Sequence, residues 1–268
     1  MTRLLHLTDL HFGTEREDLI APLFDAISEV APDLVAVSGD LTHRARPGQF
    51  RAAVAFLTSL GKPVITAPGN HDMPLWNVPL RLTAPIHRWQ EGVPATWRQN
   101  EASAAGFHIF TANTADPWRI RPGILRSGDV RRIGAALAGS EAEALNILLC
   151  HHPIEEPPGF NRGETKGAKE GIARLIRAGL DITLSGHLHH WQIGLGVTED
   201  NARPLLQIQT GTALCARPGE KDHGFSVLER GTDTLRVTPW LIDEGAKRFR
   251  PAKAVSFRRG EGGWLRLG

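Results

Sequence analysis

Seven of the twelve histidines fall into four short clusters, and each cluster follows a run of apolar residues. A solvated surface would scatter its histidines, whereas a metal site gathers them. Together with aspartate and asparagine, most of these histidines occupy five segments: Asp9-Leu10-His11, Gly39-Asp40, Gly69-Asn70-His71-Asp72, His151-His152-Pro153 and Gly186-His187-Leu188-His189. Imidazole combined with carboxylate and amide oxygens suits Mn, Fe, Zn, Co or Ni rather than Ca or a thiolate-preferring metal. The residue types therefore predict a metal centre.

The spacing within these segments indicates two metal ions. Asp-x-His and His-x-His place two side chains on the same face of an extended segment, so each pair can bind one metal. Two adjacent cations usually need a carboxylate that bridges them. Asp40 is the lone acid of its segment and is the natural bridge.

The elements that must position these residues are read from the apolar pattern. Strand-like runs cover residues 4–8, 34–38, 64–67, 107–111, 145–150 and 182–185. Helical stripes lie between them, within residues 19–30, 50–60, 130–137 and 172–176. Such alternation is typical of an α/β sheet, in which ligands bind beyond the carboxyl ends of the strands. Five loops should therefore direct Asp, Asn and His side chains to one place.

The chain is predicted to form one domain over residues 1–268. Beyond residue 190, strand-like runs follow one another without helices, so residues 191–245 form a β-rich C-terminal part. Residues 73–105 are rich in Pro and Trp without a clean period and are interpreted as an irregular excursion near the site. Residues 247–268 are interpreted as a basic tail. The expected architecture is two packed sheets with helices outside.

Bulk composition excludes little and fits a soluble enzyme. The formal net charge is only +2, so nothing global favours a nucleic-acid or acidic-membrane partner. Cys150 and Cys215 are too few for a disulfide framework and fit a reducing compartment. No signal peptide and no transmembrane segment is evident, so a cytoplasmic location is expected.

The ordered series of five segments resembles the calcineurin-like metallophosphoesterase superfamily, and its pattern is closest to bacterial class III cyclic-nucleotide phosphodiesterases. The motifs extend from residue 9 to residue 189. The resemblance implies a two-sheet β-sandwich flanked by helices, which is a four-layer αββα fold. It assigns the first metal to Asp9, His11, Asp40 and His189. It assigns the second metal to Asp40, Asn70, His151 and His187.

The resemblance also implies a mechanism, in which a metal-bound hydroxide attacks the phosphate ester in line with the leaving oxygen. Two divalent ions, two aspartates and a bridging hydroxide leave a small positive charge, which favours an anionic phosphate. His71 adjoins a ligand without being one, so it is the candidate to stabilise the transition state or protonate the leaving group. Asp72 is predicted to orient His71.

Substrate identity rests on resemblance alone. The segments Leu7-Thr8-Asp9-Leu10-His11-Phe12 and Gly39-Asp40-Leu41-Thr42 are similar to those of class III phosphodiesterases and glycerophosphodiester-hydrolysing relatives. A small-molecule phosphodiester is expected, with cyclic nucleotides favoured. One alternative is a pyrophosphate hydrolase of the UDP-diacylglucosamine type, with the Trp/Pro excursion and basic tail facing a membrane. A DNA-end nuclease and a non-catalytic interaction module on the same fold are the others.

Several residues stay open at this point. His43 and Arg217 are each either substrate contacts or solvated side chains, and Trp76, Trp89 and Trp97 either wall a pocket or form local core. His152 is interpreted as a structural neighbour rather than a ligand, and His190 is undecided. No nucleic-acid partner is expected, and a homodimer through the strands after the last motif is possible. The chain has no tyrosine, which excludes the ferric–tyrosinate site of purple acid phosphatases.

Overall fold

The computed structural model describes residues 2–141, 143–157, 159–160, 164–196, 203–260 and 262–267. Its strands are β1 (Thr2–Leu7), β2 (Leu34–Val37), β3 (Val64–Thr66), β4 (Glu101–Ala104), β5 (Phe107–Thr111), β6 (Leu145–Leu149), β7 (Ile182–Ser185), β8 (Gln192–Gly196), β9 (Leu205–Gln209), β10 (Gly224–Arg230), β11 (Thr234–Asp243), β12 (Arg248–Pro251), β13 (Val255–Gly260) and β14 (Gly263–Leu267). Its α-helices are α1 (Ile20–Val30), α2 (Pro47–Ser59), α3 (Val78–Thr83), α4 (His87–Gly92), α5 (Ser127–Leu137) and α6 (Ala168–Arg177).

The strands form two sheets. The first has the order β14-β13-β11-β10-β1-β2-β3, with β12 added beside β11, and the second has the order β4-β5-β6-β7-β9-β8. In the first sheet β1, β2 and β3 run parallel, and in the second β5, β6, β7 and β9 run parallel. The remaining pairs are antiparallel. The carboxyl ends of the parallel strands carry the loops that bear the predicted site residues.

Alternating side chains of the strands build a four-layer αββα arrangement. In β1, Leu4 packs between the two sheets, whereas Leu5 and Leu7 pack on the opposite face with residues of α1 and α2. In the second sheet, Ile147 faces the inter-sheet core and Leu148 faces α5 and α6. Strands buried on both faces must be apolar along their whole length, which explains their continuous apolar runs. The predicted fold class and the four predicted helices are confirmed.

A short polar chain crosses the otherwise apolar space between the sheets. His6 on β1 lies with Nε2 2.8 Å from Ser38 Oγ and with Nδ1 2.8 Å from Thr210 Oγ1. Thr210 Oγ1 lies in turn 2.8 Å from Ser226 Oγ on β10. All four side chains are buried, and burial lowers the pKa of His6 to about 3, so the imidazole is neutral.

The C-terminal segment differs from the predicted basic tail. Residues 248–251, 255–260 and 263–267 form β12, β13 and β14, which extend the first sheet. Phe257 and Trp264 are buried in the inter-sheet core. Arg259 lies 3.1 Å from the carboxylate of Asp181, which is 2% exposed. The basic residues made this strand pattern hard to recognise in the sequence. Most of their charged groups lie at the surface, while the intervening apolar side chains are buried.

The excursion is also more regular than predicted, since residues 73–105 contain α3, α4 and a 3-10 turn at Ala95–Trp97. Trp89 is buried in the core beside α2, and Trp97 packs against the same cluster. Trp76 is exposed. Among the described residues, no helix is both long enough and apolar enough to cross a membrane.

Candidate metal centre

The loops after β1, β2, β3, β6 and β7 meet at one point, as the sequence predicts. Their backbones are hydrogen-bonded to one another: the Asp9 amide donates to the Gly39 carbonyl at 3.1 Å, and the His11 amide donates to the Asp40 carbonyl at 3.0 Å. The Gly186 amide donates to the His151 carbonyl at 3.0 Å. These bonds satisfy buried backbone groups, so the loops support one another as a single unit.

Five of the predicted ligands share an unusual backbone conformation. Their φ angles are positive: Asp9 52°, His11 50°, Asp40 50°, His187 70° and His189 53°. For a residue with a Cβ this left-handed region costs about 1–2 kcal/mol each. Such strain persists only where the surroundings over-determine the conformation, and it concentrates at functional sites. The strained residues are therefore an independent indication of function at this point.

Two glycines allow the loops to come this close. A Cβ on Gly69 would lie 2.1 Å from Asp40 Oδ1, and a Cβ on Gly186 would lie 2.4 Å from Asp9 Oδ2. Both distances are far below van der Waals contact. Any other residue at these positions would displace the neighbouring aspartate, so the close approach requires glycine.

Asp9 divides its two carboxylate oxygens between the backbone and the site. Oδ2 accepts from the His187 amide at 3.0 Å and from the Thr8 hydroxyl at 2.7 Å. Oδ1 lies 3.0 Å from His189 Nε2 and 3.4 Å from His11 Nε2. One oxygen therefore fixes the carboxylate, and the other faces two imidazole nitrogens.

Asp40 uses the same division at the centre of the cluster. Its Oδ1 accepts from the His71 amide at 2.8 Å. Its Oδ2 lies 3.5 Å from His11 Nε2 on one side and 3.3 Å from His151 Nε2 on the other. Asp40 therefore stands between two groups of donors, as a bridging carboxylate must.

The second group of donors collects around Asn70. The Asn70 Oδ1 atom lies 3.0 Å from His151 Nε2 and 3.1 Å from His187 Nδ1. The Nδ1 atom of His151 lies 2.8 Å from the Ser38 carbonyl, so Nδ1–H donates there and Nε2 is left facing the site. One carboxylate oxygen of Asp9, one carboxylate oxygen of Asp40 and one imidazole nitrogen of His151 lie within 4.8 Å of one another. All seven predicted metal ligands thus come together, and the oxygen and imidazole donors fit divalent transition ions.

The protonation states of the two carboxylates and of two of the four imidazoles suit cation binding. Burial raises the pKa of both carboxylates, but the charges on His189 and His151 outweigh it and hold the pKa values of Asp9 and Asp40 below their usual range. Burial lowers the pKa of His11 to about 4 and holds the pKa of His187 below its ordinary value. At neutral pH the site therefore offers two ionised carboxylates and neutral imidazoles at positions 11 and 187, which are the forms that coordinate metal. Burial lowers the pKa of His151 and His189, but the charges of Asp40 and Asp9 outweigh it and raise the pKa of His151 to about 9 and that of His189 above its usual range. These two imidazoles must therefore release a proton in order to coordinate a metal.

His71 and Asp72 do not form the pair that the sequence predicts. The Nδ1 atom of His71 lies 2.8 Å from the backbone carbonyl of His43, so His43 orients the ring. The rings of His71 and His11 meet edge to face with centroids 4.8 Å apart, which keeps His71 beside the cluster.

Asp72 points away from His71 and into the backbone beneath the site. Its carboxylate accepts from the amides of Leu41, Thr42 and Gly69 at 3.0–3.2 Å. It also accepts from the Thr42 hydroxyl at 3.0 Å. Asp72 therefore joins the Asp40 loop to the Asn70 loop, and its predicted role of orienting His71 is corrected.

Glu220 has a role that the sequence did not reveal. Its Oε1 lies 2.7 Å from His189 Nδ1, so Nδ1–H donates to the carboxylate and Nε2 faces Asp9. The neighbouring Arg217 lies with Nη2 2.9 Å from His189 Nε2 and 3.5 Å from Glu220 Oε1. The buried thiol of Cys215 also lies within 4.8 Å of the His11 and His189 nitrogens. No motif marks Glu220 or Cys215, which lie in the loop between β9 and β10. Glu220 is 31 residues beyond His189 in the sequence.

The remaining open histidines now have positions. His152 is buried, and its Nδ1 lies 2.9 Å from Thr114 Oγ1, which fits a structural neighbour. The His43 ring stacks on His71 with centroids 5.4 Å apart. His190 is exposed and contacts Phe160.

A cleft of about 420 Å³ opens over the cluster. Its wall includes Asp40, Asn70, His71 and His187, together with the guanidinium groups of Arg121 and Arg217. Ile120, Pro218 and Glu220 complete the lining. An anionic ligand in this cleft would lie near the positive charges of Arg121 and Arg217.

Comparisons with known proteins show the family of the chain. The family model described as calcineurin-like phosphoesterase matches residues 2–191. A probable cyclic nucleotide phosphodiesterase of Synechococcus sp. is 27% identical over 77% of this chain and 81% of its own length. The glycerophosphodiester phosphodiesterase GpdQ of Enterobacter lignolyticus is 34% identical over 26% of this chain and 29% of its own length.

Among solved structures, the purple acid phosphatase PPD1 from seeds of yellow lupin (Lupinus luteus) shares the fold. It is 16% identical, with a TM-score of 0.73 over 97% of this chain. The chain spans about half of that enzyme, 54% of its length. This likeness concerns the arrangement of the sheets and helices.

Replacing Glu220 tests its contact with His189. We expect Glu220→Gln to weaken Mn²⁺ or Zn²⁺ binding by about 10–100-fold, because a neutral amide no longer fixes the charge and tautomer of the imidazole. Chelator competition on purified protein measures the affinity. Glu91→Gln is the matched control, since Glu91 lies 3.1 Å from the exposed imidazole of His87 on α4. Equal affinities for wild type and Glu220→Gln would contradict the role.

Replacing Asp72 separates its structural role from a catalytic one. Asp72→Ala leaves three buried amides without their acceptor, so we expect the free energy of unfolding to fall by about 3 kcal/mol or more. Asp72→Asn keeps one acceptor oxygen and should lose less. Urea denaturation measures both, with the exposed Asp25→Ala on α1 as control. Unchanged stability with a reduced kcat would instead support the orienting role.

Proposed function

Because the chain belongs to the calcineurin-like phosphoesterase family and is a metal-dependent phosphoesterase, we propose that it hydrolyses small phosphodiesters, with cyclic nucleotides as its substrates. The proposed reaction takes place at a dinuclear metal centre. The proposed ligands are Asp9, His11, Asp40, Asn70, His151, His187 and His189.

The position of Asp40 carries this proposal. Its Oδ2 lies between His11 Nε2 at 3.5 Å and His151 Nε2 at 3.3 Å, and each of these nitrogens belongs to a different group of donors. Asp9 and His189 complete the first group, and Asn70 and His187 complete the second. Two sets of four ligands that share one carboxylate are what two adjacent cations require.

Bound divalent ions supply Lewis-acid activation of water and neutralise charge on the phosphoryl group. The chain itself contributes binding, orientation and proton transfer. His71 is held through Nδ1 by the His43 carbonyl, which leaves its Nε2 as the atom that hydrogen-bonds the phosphoryl or leaving oxygen. Arg121 and Arg217 line the cleft and attract the phosphate anion.

The choice of cyclic nucleotides is supported by extent of similarity and by size. The relative named as a probable cyclic nucleotide phosphodiesterase aligns along 81% of its length, whereas the relative named as a glycerophosphodiester phosphodiesterase aligns along 29%. A cleft of about 420 Å³ is within the range that encloses a small organic ligand.

A substrate panel on metal-reconstituted protein tests the reaction. We expect Mn²⁺-dependent turnover of bis-p-nitrophenyl phosphate and of 3′,5′-cyclic AMP, abolished by chelator and reduced by ~10³-fold or more in Asp40→Ala. Asp25→Ala is the matched control, since this aspartate is exposed on α1 and belongs to none of the site loops. Preferred hydrolysis of a glycerophosphodiester or of UDP-diacylglucosamine would contradict the proposal that cyclic nucleotides are the substrates. If no compound of the panel is hydrolysed with any metal, the proposed hydrolytic activity is wrong.

Replacing His71 tests its role in the reaction. His71→Ala should keep the metal content of the wild type while kcat falls by ~10²-fold or more, because the group that contacts the phosphoryl or leaving oxygen is lost. Elemental analysis and steady-state kinetics on the same preparation separate the two quantities. His87→Ala, at an exposed position on α4, is the control. Loss of metal from His71→Ala would show that His71 is a ligand.

A further inference from the structure

The exposed apolar side chains of the chain are concentrated in one place. Among the described residues, seven large hydrophobic side chains are exposed, and five of them lie in two short segments. These five are Trp76, Val78, Leu82, Trp118 and Ile120. We refer to them as the apolar rim. Isolated exposed apolar residues are ordinary, but a cluster of this kind usually marks a binding surface.

A buried arginine joins the two segments of the apolar rim. Arg81 on α3 is 7% exposed, and its guanidinium donates to the Pro117 carbonyl at 2.8 Å and to the Arg119 carbonyl at 2.8 Å. It also donates to the Asp116 carbonyl at 3.3 Å. Residues 76–82 and 116–121 are therefore held side by side. A charged group buried in this way stabilises the loops from below, while their apolar side chains face outwards.

Apart from Ile120, the residues of the apolar rim do not line the cleft. Trp76 is 81% exposed and Trp118 is 77% exposed, so both indoles project into solvent. A ring that stacks on a base inside the cleft would be largely covered by it. At the lower edge of the rim, however, Ile120 and Arg121 also line the cleft above Asp40 and His71. The rim and the opening of the cleft therefore face the same side of the molecule.

Positive charge accompanies the apolar rim. The segment Trp118-Arg119-Ile120-Arg121 alternates apolar and basic residues, and all four are exposed. The guanidinium of Arg44 lies 5.9 Å from the Trp76 ring. Asp116 lies 3.8 Å from Arg119, but it is buried. Tryptophan is enriched where a protein meets the interface of a bilayer, and arginines near it attract anionic headgroups.

We propose that the apolar rim is a peripheral docking surface for anionic phospholipid bilayers, which places the cleft opening at the membrane–water interface. Trp76 and Trp118 enter the headgroup region, and Arg44, Arg119 and Arg121 contact the lipid phosphates. Arg81 keeps the two loops together during this contact. Docking is reversible, because a few interfacial side chains do not anchor a protein permanently. The inference does not depend on which phosphate ester is hydrolysed.

Vesicle binding by the full chain tests the docking surface. We expect the wild type to co-sediment with vesicles of phosphatidylcholine and phosphatidylglycerol, and to bind vesicles of phosphatidylcholine alone much more weakly. High salt should weaken the binding to anionic vesicles. Tryptophan emission should shift to shorter wavelength when vesicles are added, because Trp76 and Trp118 leave water.

The affinity of the Trp76→Ala/Trp118→Ala double variant for anionic vesicles should be lower than that of the wild type by about tenfold or more. Leu195→Ala/Leu265→Ala is the matched control, since it removes the two large apolar side chains outside the rim that are exposed among the described residues. Both double variants should unfold at temperatures near that of the wild type, because the replaced side chains are exposed. The assay uses no substrate, so its outcome is independent of the proposed reaction.

Three results would overturn the proposal. The first is wild-type protein that remains in the supernatant with anionic vesicles. The second is equal binding by the Trp76→Ala/Trp118→Ala variant and the wild type. The third is evidence that something other than a bilayer occupies the rim. Such evidence would be a dimer in sedimentation velocity, or quenching of the wild-type tryptophan emission by AMP. In either case the effect would be absent from the double variant and unchanged by vesicles.

Discussion

The carboxylate of Asp40 must contact both groups of donors at once, which is possible in only one position. Much of the surrounding structure holds it in that position. Its Oδ1 is held by the His71 amide, so that Oδ2 faces His11 and His151. The adjacent backbone is held from below by Asp72, which accepts from the amides of Leu41 and Thr42. A shared ligand tolerates little displacement, because any movement towards one group of donors is a movement away from the other.

The strained backbone of the site follows from the same constraint. A regular strand directs alternate side chains to opposite faces, which suits the packing of the four layers but cannot direct consecutive ligands to one point. Just beyond each strand the chain therefore leaves the extended conformation, and Asp9, Asp40 and His187 adopt positive φ. The free energy that these conformations cost is offset by the packing of the two sheets immediately below, where the strands are buried on both faces.

The sequence predicted those features that depend on residue type and local order. Ligand pairs such as Asp9 and His11 are recognisable from their residue types and two-residue spacing, and the strands that precede them are continuous apolar runs. The spacing predicted that each pair lies on one face of an extended segment, whereas both members of each pair have positive φ. Contacts that join distant parts of the chain were not predictable in the same way. Glu220 contacts His189 from a loop that carries no recognisable motif. Sequence adjacency predicted that Asp72 orients His71, whereas the oxygens of Asp72 accept hydrogen bonds from the backbone. The strands β12, β13 and β14 were not predicted, because the basic residues of this segment obscure the alternation of buried and exposed side chains around Phe257 and Trp264.

The buried polar chain of His6, Ser38, Thr210 and Ser226 has a consequence for how the site tolerates change. Each half of the ligand set draws on both sheets, since Asp9 and His11 follow a strand of the first sheet and His189 follows a strand of the second. An apolar interface between sheets resists separation but resists lateral sliding only weakly, because dispersion contacts are not directional. The hydrogen bonds from Thr210 to His6 and to Ser226, each 2.8 Å long, cross this interface and are directional. His6 also bonds to Ser38, the residue before Gly39. These bonds fix the position of one sheet relative to the other. The alignment of the reactive groups therefore depends on buried contacts rather than on residues at the opening of the cleft.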